Sequence, residues 1–416
     1  MSILSQQKQS QAPDFPNIRP SLDLRFALAK KLDPRITFTR GSTGTYFGPD
    51  GIMRTAGVNE PRFDHNPITG QSLGLLIEEG RINQLSRGDI EGTVGAQPTG
   101  MQLFGPSNGQ TAVVSTDVSL GPNGQSCKHT RGTWADNNIG YFGSGTVTAG
   151  STYVFSVYIY IPSSQAKNFE GKAIFCDMES AYTSRTRASA DVTIVDRWQR
   201  ITGTCVPSTT SATWVLRTTA NAGSFLYSDC WQLELGSFPT SYMPASGGSQ
   251  FTRNPDFAQM TGTNFSSWYN QSEGTIVMSL IPNYSSAVAN RYRRYLTISA
   301  GSGLQDNLIQ IISIDNSSQI QSAVWYGSVF QAGANLTVPS GTQGKIAHAI
   351  KENSANLAGG GRLLQTDISC ILPSIMNRMD IGGYVNNTGY QSTSTISRIT
   401  YYPIQITNQQ LINLTS

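Results

Sequence analysis

Glu78 and Glu79 stand side by side in LLIEEGR, with Arg35, Arg40, Arg54, Arg62 and Arg81 spaced around them. Two carboxylates are what acid–base cleavage of a glycosidic bond needs. Neighbours on a strand point to opposite faces, so these two cannot serve one substrate. The arginines supply the favoured alternative, an ion-pair set that ties hairpins together. Asp64, Asn66 and Thr69 carry oxygen ligands of the kind calcium takes, yet the loop lacks the closing bidentate Glu of an EF-hand. It reads as an Asx-type turn, and no calcium ligand set can be assigned.

The 3 His residues, His65, His129 and His348, lie in no metalloprotease or nucleophile-elbow context. His129 shares a strand face with Cys127, but no third group follows to orient it. Phosphate-loop and dinucleotide fingerprints are missing as well. No catalytic residue or cofactor can be nominated, and the chain reads as a non-enzyme. The 5 Cys residues form no CxxC pair, which argues against zinc and against a complete disulfide framework. Reduced, buried thiols fit best, with a Cys205–Cys230 bridge across neighbouring strands left open.

Saccharide binding asks for a flat aromatic ring beside amide and carboxylate groups. Trp134, with Asp136, Asn137 and Asn138 beside it in a polar loop, is the first candidate. Trp325 with Tyr326, ahead of Gly327, is the second. Trp198 and Trp231 lie in strand patterns that place them in a core, and Trp268 with Tyr269 is expected to pack a junction between units.

These residues need a scaffold, and the pattern is all-β. Short runs of β-branched and aromatic residues alternate with Gly, Pro, Asn and Ser clusters throughout. Gly48-Pro49-Asp50-Gly51 reads as a hairpin turn, and residues 73–77 form an apolar run suited to a strand covered on both faces. VFSVYIYIP alternates, so one buried face is expected there. We expect two antiparallel β-sandwiches of jelly-roll type: residues 95–248, resembling a carbohydrate-binding module, and 249–416, ending in a short helix capped at Thr407. An extended N-terminal arm (1–32) and a hairpin-rich module (33–94) precede them. Phe251-Thr252-Arg253 repeats Phe38-Thr39-Arg40, as if to brace the two sandwiches.

Composition narrows the function classes. Charged residues are only 13% and the net charge is +3, too little for a nucleic-acid partner. No segment is long and apolar enough for a signal peptide or a membrane-spanning helix, so no membrane insertion is expected.

ITFTRGSTGTY (36–46) followed by NEPRFDHNPITGQSLGLLIEEGRINQL (59–85) resembles the N-terminal module of many bacteriophage tail-fibre and related virion proteins. WQLELGSFPTSYMP (231–244) resembles the closing strand of the carbohydrate-binding-type sandwich that follows it there. TGTNFSSWYNQSEGTIV (261–277) and ISRITYYPIQITNQQL (396–411) resemble the ends of the concanavalin A-like (laminin G-like) domain in the same proteins. The resemblance implies a virion protein assembled in the host cytoplasm. It would be a homotrimer, docked on other virion proteins through its N-terminal arm and contacting bacterial surface polysaccharide, most simply as a tail fibre or spike. A capsid decoration, head-fibre or tail-collar protein is the alternative, and a glycan-cleaving depolymerase comes after that. No catalytic or metal-ligating residue carries over.

Overall fold

The computed structural model describes residues 15–103, 109–118, 122, 126–130, 138–178, 181–284, 292–301, 306–314, 318–373, 375–384 and 388–416. They form antiparallel β-sandwiches, as the strand pattern predicts. The N-terminal sandwich packs a six-stranded sheet on a four-stranded one. The first runs Tyr182–Arg187, Trp198–Pro207, Tyr153–Tyr160, Phe225–Leu235, Ser126–Thr130, Thr111–Ser115, and the second Ile174–Met178, Ser211–Thr218, Asn138–Thr146, Met101–Gln102. Phe155, Val157, Ile159, Trp214, Trp231 and Leu233 are buried between them.

The C-terminal sandwich does not begin where the sequence suggests. In its eight-stranded sheet, Thr393–Tyr402 lies between Glu273–Asn283 and Ser72–Ile77, and Arg62–His65 adds the edge. Leu22–Leu24 also pairs with Thr393–Tyr402. In the facing seven-stranded sheet, Thr37–Thr39 pairs with Phe257–Thr261. Residues expected as arm and separate module are therefore sheet partners of strands more than two hundred residues away. Leu22, Leu24, Phe26, Phe38, Leu75 and Ile77 are buried in the same core as Met278, Ile298 and Ile399. The physical reason is the apolar run at 75–77, which needs cover on both faces and finds it only inside a sandwich.

The N-terminal sandwich is thus an insertion. The chain leaves through Arg81–Asn83 and returns through Phe251–Arg253, and these two strands pair antiparallel, Asn83 opposite Phe251 and Arg81 opposite Arg253. The second FTR sequence marks this re-entry. The C-terminal helix Asn408–Thr415 carries the expected capping box between Thr407 and Gln410.

The Tyr153–Tyr160 strand departs from expectation because both of its faces are buried. Its second face presents Tyr158 to Met53 and Tyr242, with Phe47 packed alongside. The cover is the hairpin Gly44–Phe47/Met53–Ala56, which the 48–51 turn closes as predicted. Cys176, Cys205, Cys230 and Cys370 are free and buried, so Cys205 and Cys230 do not pair; the Cys205 Sγ lies 3.1 Å from the Met178 sulfur.

Candidate functional site

Glu78 and Glu79 do point apart, and each is enclosed by arginines. Arg62 Nη1 reaches Glu78 Oε2 at 2.6 Å and Arg253 Nη1 reaches the same oxygen at 3.1 Å. Ser241 donates its N–H and hydroxyl to the two Glu78 oxygens at 2.7 and 2.6 Å. On the other side Glu79 pairs with Arg81 and, at 2.6 Å, with Arg293. Asp256 completes the group. It holds Arg40 at 3.0 Å and Arg62 in a shorter contact, and its Oδ2 accepts the Glu78 N–H at 2.9 Å.

The side chains of Arg40, Arg62, Arg253 and Asp256 are fully buried. Burial alone would push the Glu78 carboxyl up, but Arg253, Arg62 and the Ser241 donors more than reverse it, to about 2. Glu78 is therefore ionised, and the arginines around Glu78, Glu79 and Asp256 close all three to a substrate. Of the arginines anticipated as their partners, Arg62 and Arg81 take that role and Arg40 binds Asp256 instead. Arg35 and Arg54 pair locally with Asp33 and Asp50.

The Asp64–Thr69 loop is the turn it was read as. Asn66 Oδ1 accepts the N–H groups of Ile68 and Thr69 at 2.9 and 3.0 Å. Asp64 Oδ1 accepts the Phe47 N–H at 2.7 Å. The residue keeps some surface, but its carboxyl group is enclosed, and this burial raises it to about 6. Among the described residues no group of three or more His, Cys, Asp or Glu side chains could hold a metal.

The two turns matter together, because their backbones interlock. A Cβ on Gly51 would sit 2.4 Å from the Pro67 carbonyl oxygen, and one on Gly70 would sit 2.5 Å from that of Pro49. Both glycines have positive φ, 73° and 70°. The joined turns form one wall of a groove of about 530 Å³ against the N-terminal sandwich. Phe47, Tyr160 and Trp198 give it aromatic surface; Asp50, Asp117, Asp196 and Arg197 give it polar edges. The Tyr160 and Trp198 rings meet at 5.6 Å between centroids, tilted by 58°. Trp198 Nε1 is buried without a hydrogen-bond partner. Asp196, at φ 54°, uses Oδ1 to accept the Ser163 N–H at 2.9 Å and the Tyr160 hydroxyl at 3.3 Å. Arg197 Nη1 donates to the Ile68 carbonyl at 2.8 Å, crossing between the walls.

No family model matches the chain, and neither does any curated protein. Solved structures match it over about a third of its length.

One is the CBM40 module of the Ruminococcus gnavus IT-sialidase, solved with α2,3-sialyllactose. It is 17% identical over 37% of this chain and 87% of the module, with a TM-score of 0.31. The NanB sialidase of Streptococcus pneumoniae is 13% identical over 37% of this chain and 26% of its own, at 0.30. A heptameric SAP-like pentraxin from Limulus polyphemus is 8% identical over 35% and 70%, at 0.28. Likeness at this level carries no argument about the groove.

Trp198, expected in a core, is thus a groove residue. The signal was present: Trp198 is out of phase with Ile201 and Cys205, the buried face of its strand. Trp231, fully buried, is structural as expected. Trp268 packs on Phe265, Tyr269 and Tyr401 inside the C-terminal sandwich. Trp134, Asp136 and Asn137 lie outside the described residues. Trp325 and Tyr326 end a hairpin strand, where Trp325 meets the Phe330 ring edge-on at 5.5 Å and Tyr326 lies near exposed Val329. The structure brings apolar neighbours to this pair. His348 is sealed in the C-terminal sandwich, its Nδ1 2.9 Å from the Ser322 hydroxyl; burial alone holds it down to about 3. His65 Nδ1 lies 2.9 Å from the Phe47 carbonyl, behind the groove wall.

Proposed function

We propose that this chain is a non-catalytic saccharide-binding protein whose ligand lies in the groove between the interlocked turns and the N-terminal sandwich. The observation that carries the reading is the pairing of an aromatic wall with carboxylates already oriented by the fold. An aromatic face covers the apolar face of a sugar ring while carboxylate oxygens accept its hydroxyl protons. A volume of about 530 Å³ suits one or two sugar units. The charged residues deeper in the molecule are paired with one another and closed off, which favours binding without catalysis.

The test is a glycan array with the intact protein, followed by calorimetry on the best ligand. Trp198→Ala should weaken binding at least tenfold. Trp198 also packs beside Met53 and Tyr158, so Asp196→Asn serves as a second variant, with a loss of several-fold expected. Full affinity in both variants would overturn the groove as the site.

We further propose that this surface belongs to a bacteriophage appendage, on the strength of the sequence resemblance at 36–46, 59–85, 231–244, 261–277 and 396–411. Ile18 already packs against the C-terminal sandwich, so docking to the particle would fall to residues before 15. Deleting residues 2–14 should leave folded protein that no longer joins particles, as read by immunogold electron microscopy. Normal incorporation would remove the docking role, and label on the head would move the protein to the capsid.

A further inference from the structure

Among the described residues the groove's polar edge sets three carboxylates against one guanidinium, that of Arg197. Ionised carboxylates only accept hydrogen bonds. Asp50, Asp117 and Asp196 are each held from behind, so that their charge is fixed in place. Asp50 accepts the Ile52 N–H at 3.2 Å and Arg54 at 2.9 Å. Asp117 Oδ2 accepts the Tyr227 hydroxyl at 2.9 Å, with Lys128 at 3.6 Å. Asp196 is anchored through Oδ1 by Ser163 and Tyr160. These contacts hold all three below the usual carboxylate range: the Ile52 N–H and then Arg54 for Asp50, the Tyr227 hydroxyl for Asp117, the Ser163 N–H for Asp196. Arg54 and Lys128 stand behind their carboxylates and are not part of the lining, and Arg197 is tied to the opposite wall through Ile68.

A ligand must therefore bring donors to this edge and no negative charge. The Thr69 hydroxyl adds a donor that a neutral sugar's ring or acetal oxygen can use. A carboxylate on the ligand would face three like charges against one guanidinium that already donates across the groove.

We propose that the groove selects neutral saccharides and rejects those carrying a carboxylate, uronates and sialylated glycans alike. This rests on the groove being the binding site, and it deepens that reading by naming the ligand class.

The experiment compares matched pairs on the intact protein by calorimetry at pH 7 and low salt. The probes are the best neutral oligosaccharide from the array and its uronate and sialylated counterparts. The neutral member should bind at least tenfold more tightly. Asp117→Asn and Asp196→Asn should each shrink that ratio severalfold, and added salt should shrink it too, since the repulsion is screened. Equal or tighter binding of the acidic member, still lost in Trp198→Ala, would overturn the selectivity and leave the groove standing. Binding of either member that is indifferent to Trp198→Ala, or no binding at all, would overturn the groove and the selectivity with it.

Discussion

Replacing Arg62 with alanine should lower the unfolding free energy by roughly 3–5 kcal/mol. Arg62 is the shared member of the buried network, touching Glu78 through Nη1 and Asp256 through Nη2. Its loss leaves two carboxylates with too little compensation in a site closed to water. Arg253 still reaches Glu78 and Arg40 still reaches Asp256, which is why the loss stays within this range. The exposed pair Arg54–Asp50 is the control, and Arg54→Ala should leave stability close to wild type.

The acid limb sharpens the test. Glu78 is held at about 2 in the folded chain, against an ordinary value of 4.5. A carboxyl depressed on folding stabilises the fold fully above its unfolded pKa. That contribution fades as pH falls from about 4.5 toward about 2. Arg62→Ala removes one of its two cations, so acid unfolding should move to higher pH. Urea titrations at pH 7 and a pH titration of far-ultraviolet circular dichroism measure both effects. Wild-type stability in Arg62→Ala, or an unmoved acid midpoint, would show that the network contributes little.

How far the sequence reaches depends on the range of the interaction. Period-two geometry was enough to separate Glu78 from Glu79 and to place them in ion pairs. Turn chemistry was enough for the 48–51 hairpin, the Asn66 turn and the Thr407 cap. Asp256 was invisible as their partner because it is 178 residues from Glu78, and nothing local marks the contact. Still larger separations hid the discontinuous sandwich: 73–77 announces a strand covered on both faces without saying by what.

The groove was missed for a related reason. It joins residues 47–70 to 196–198, two segments with no shared periodicity. The turns were legible one by one, while Trp198 reads as a core residue of its strand. Only the phase of Trp198 relative to Ile201 pointed outward, and the apolar character of the ring outweighed it. The second FTR was legible as a brace, since Arg253 lands on Glu78 beside Arg62, while Arg40 from the first FTR binds the neighbouring Asp256.

The discontinuous sandwich predicts that residues 249–416, although they look like a complete C-terminal domain, will not fold alone. The fragment would lack Leu22, Leu24, Phe26, Ile36, Phe38, Leu75 and Ile77, all buried in its core. At about 1.5–3 kcal/mol for each buried side chain, these contribute roughly 10–20 kcal/mol. Whole domains are stable by only about 5–15 kcal/mol. The cut also exposes the Thr393–Tyr402 strand, which loses its pairing with both Ser72–Ile77 and Leu22–Leu24. Asp256 would lose Arg40 and Arg62 together.

The fragment should be aggregated or molten, with poor proton dispersion by nuclear magnetic resonance and no cooperative urea transition. Residues 15–416 should fold cooperatively, and a peptide spanning 15–85 added to freshly refolded fragment should recover part of the native signal. A sharp unfolding transition in 249–416 alone would mean that the early strands decorate a self-sufficient sandwich rather than complete it. Against that outcome stands the burial of Thr393–Tyr402: a strand paired on both sides cannot become an open edge without exposing its Ile396 and Ile399 side to water.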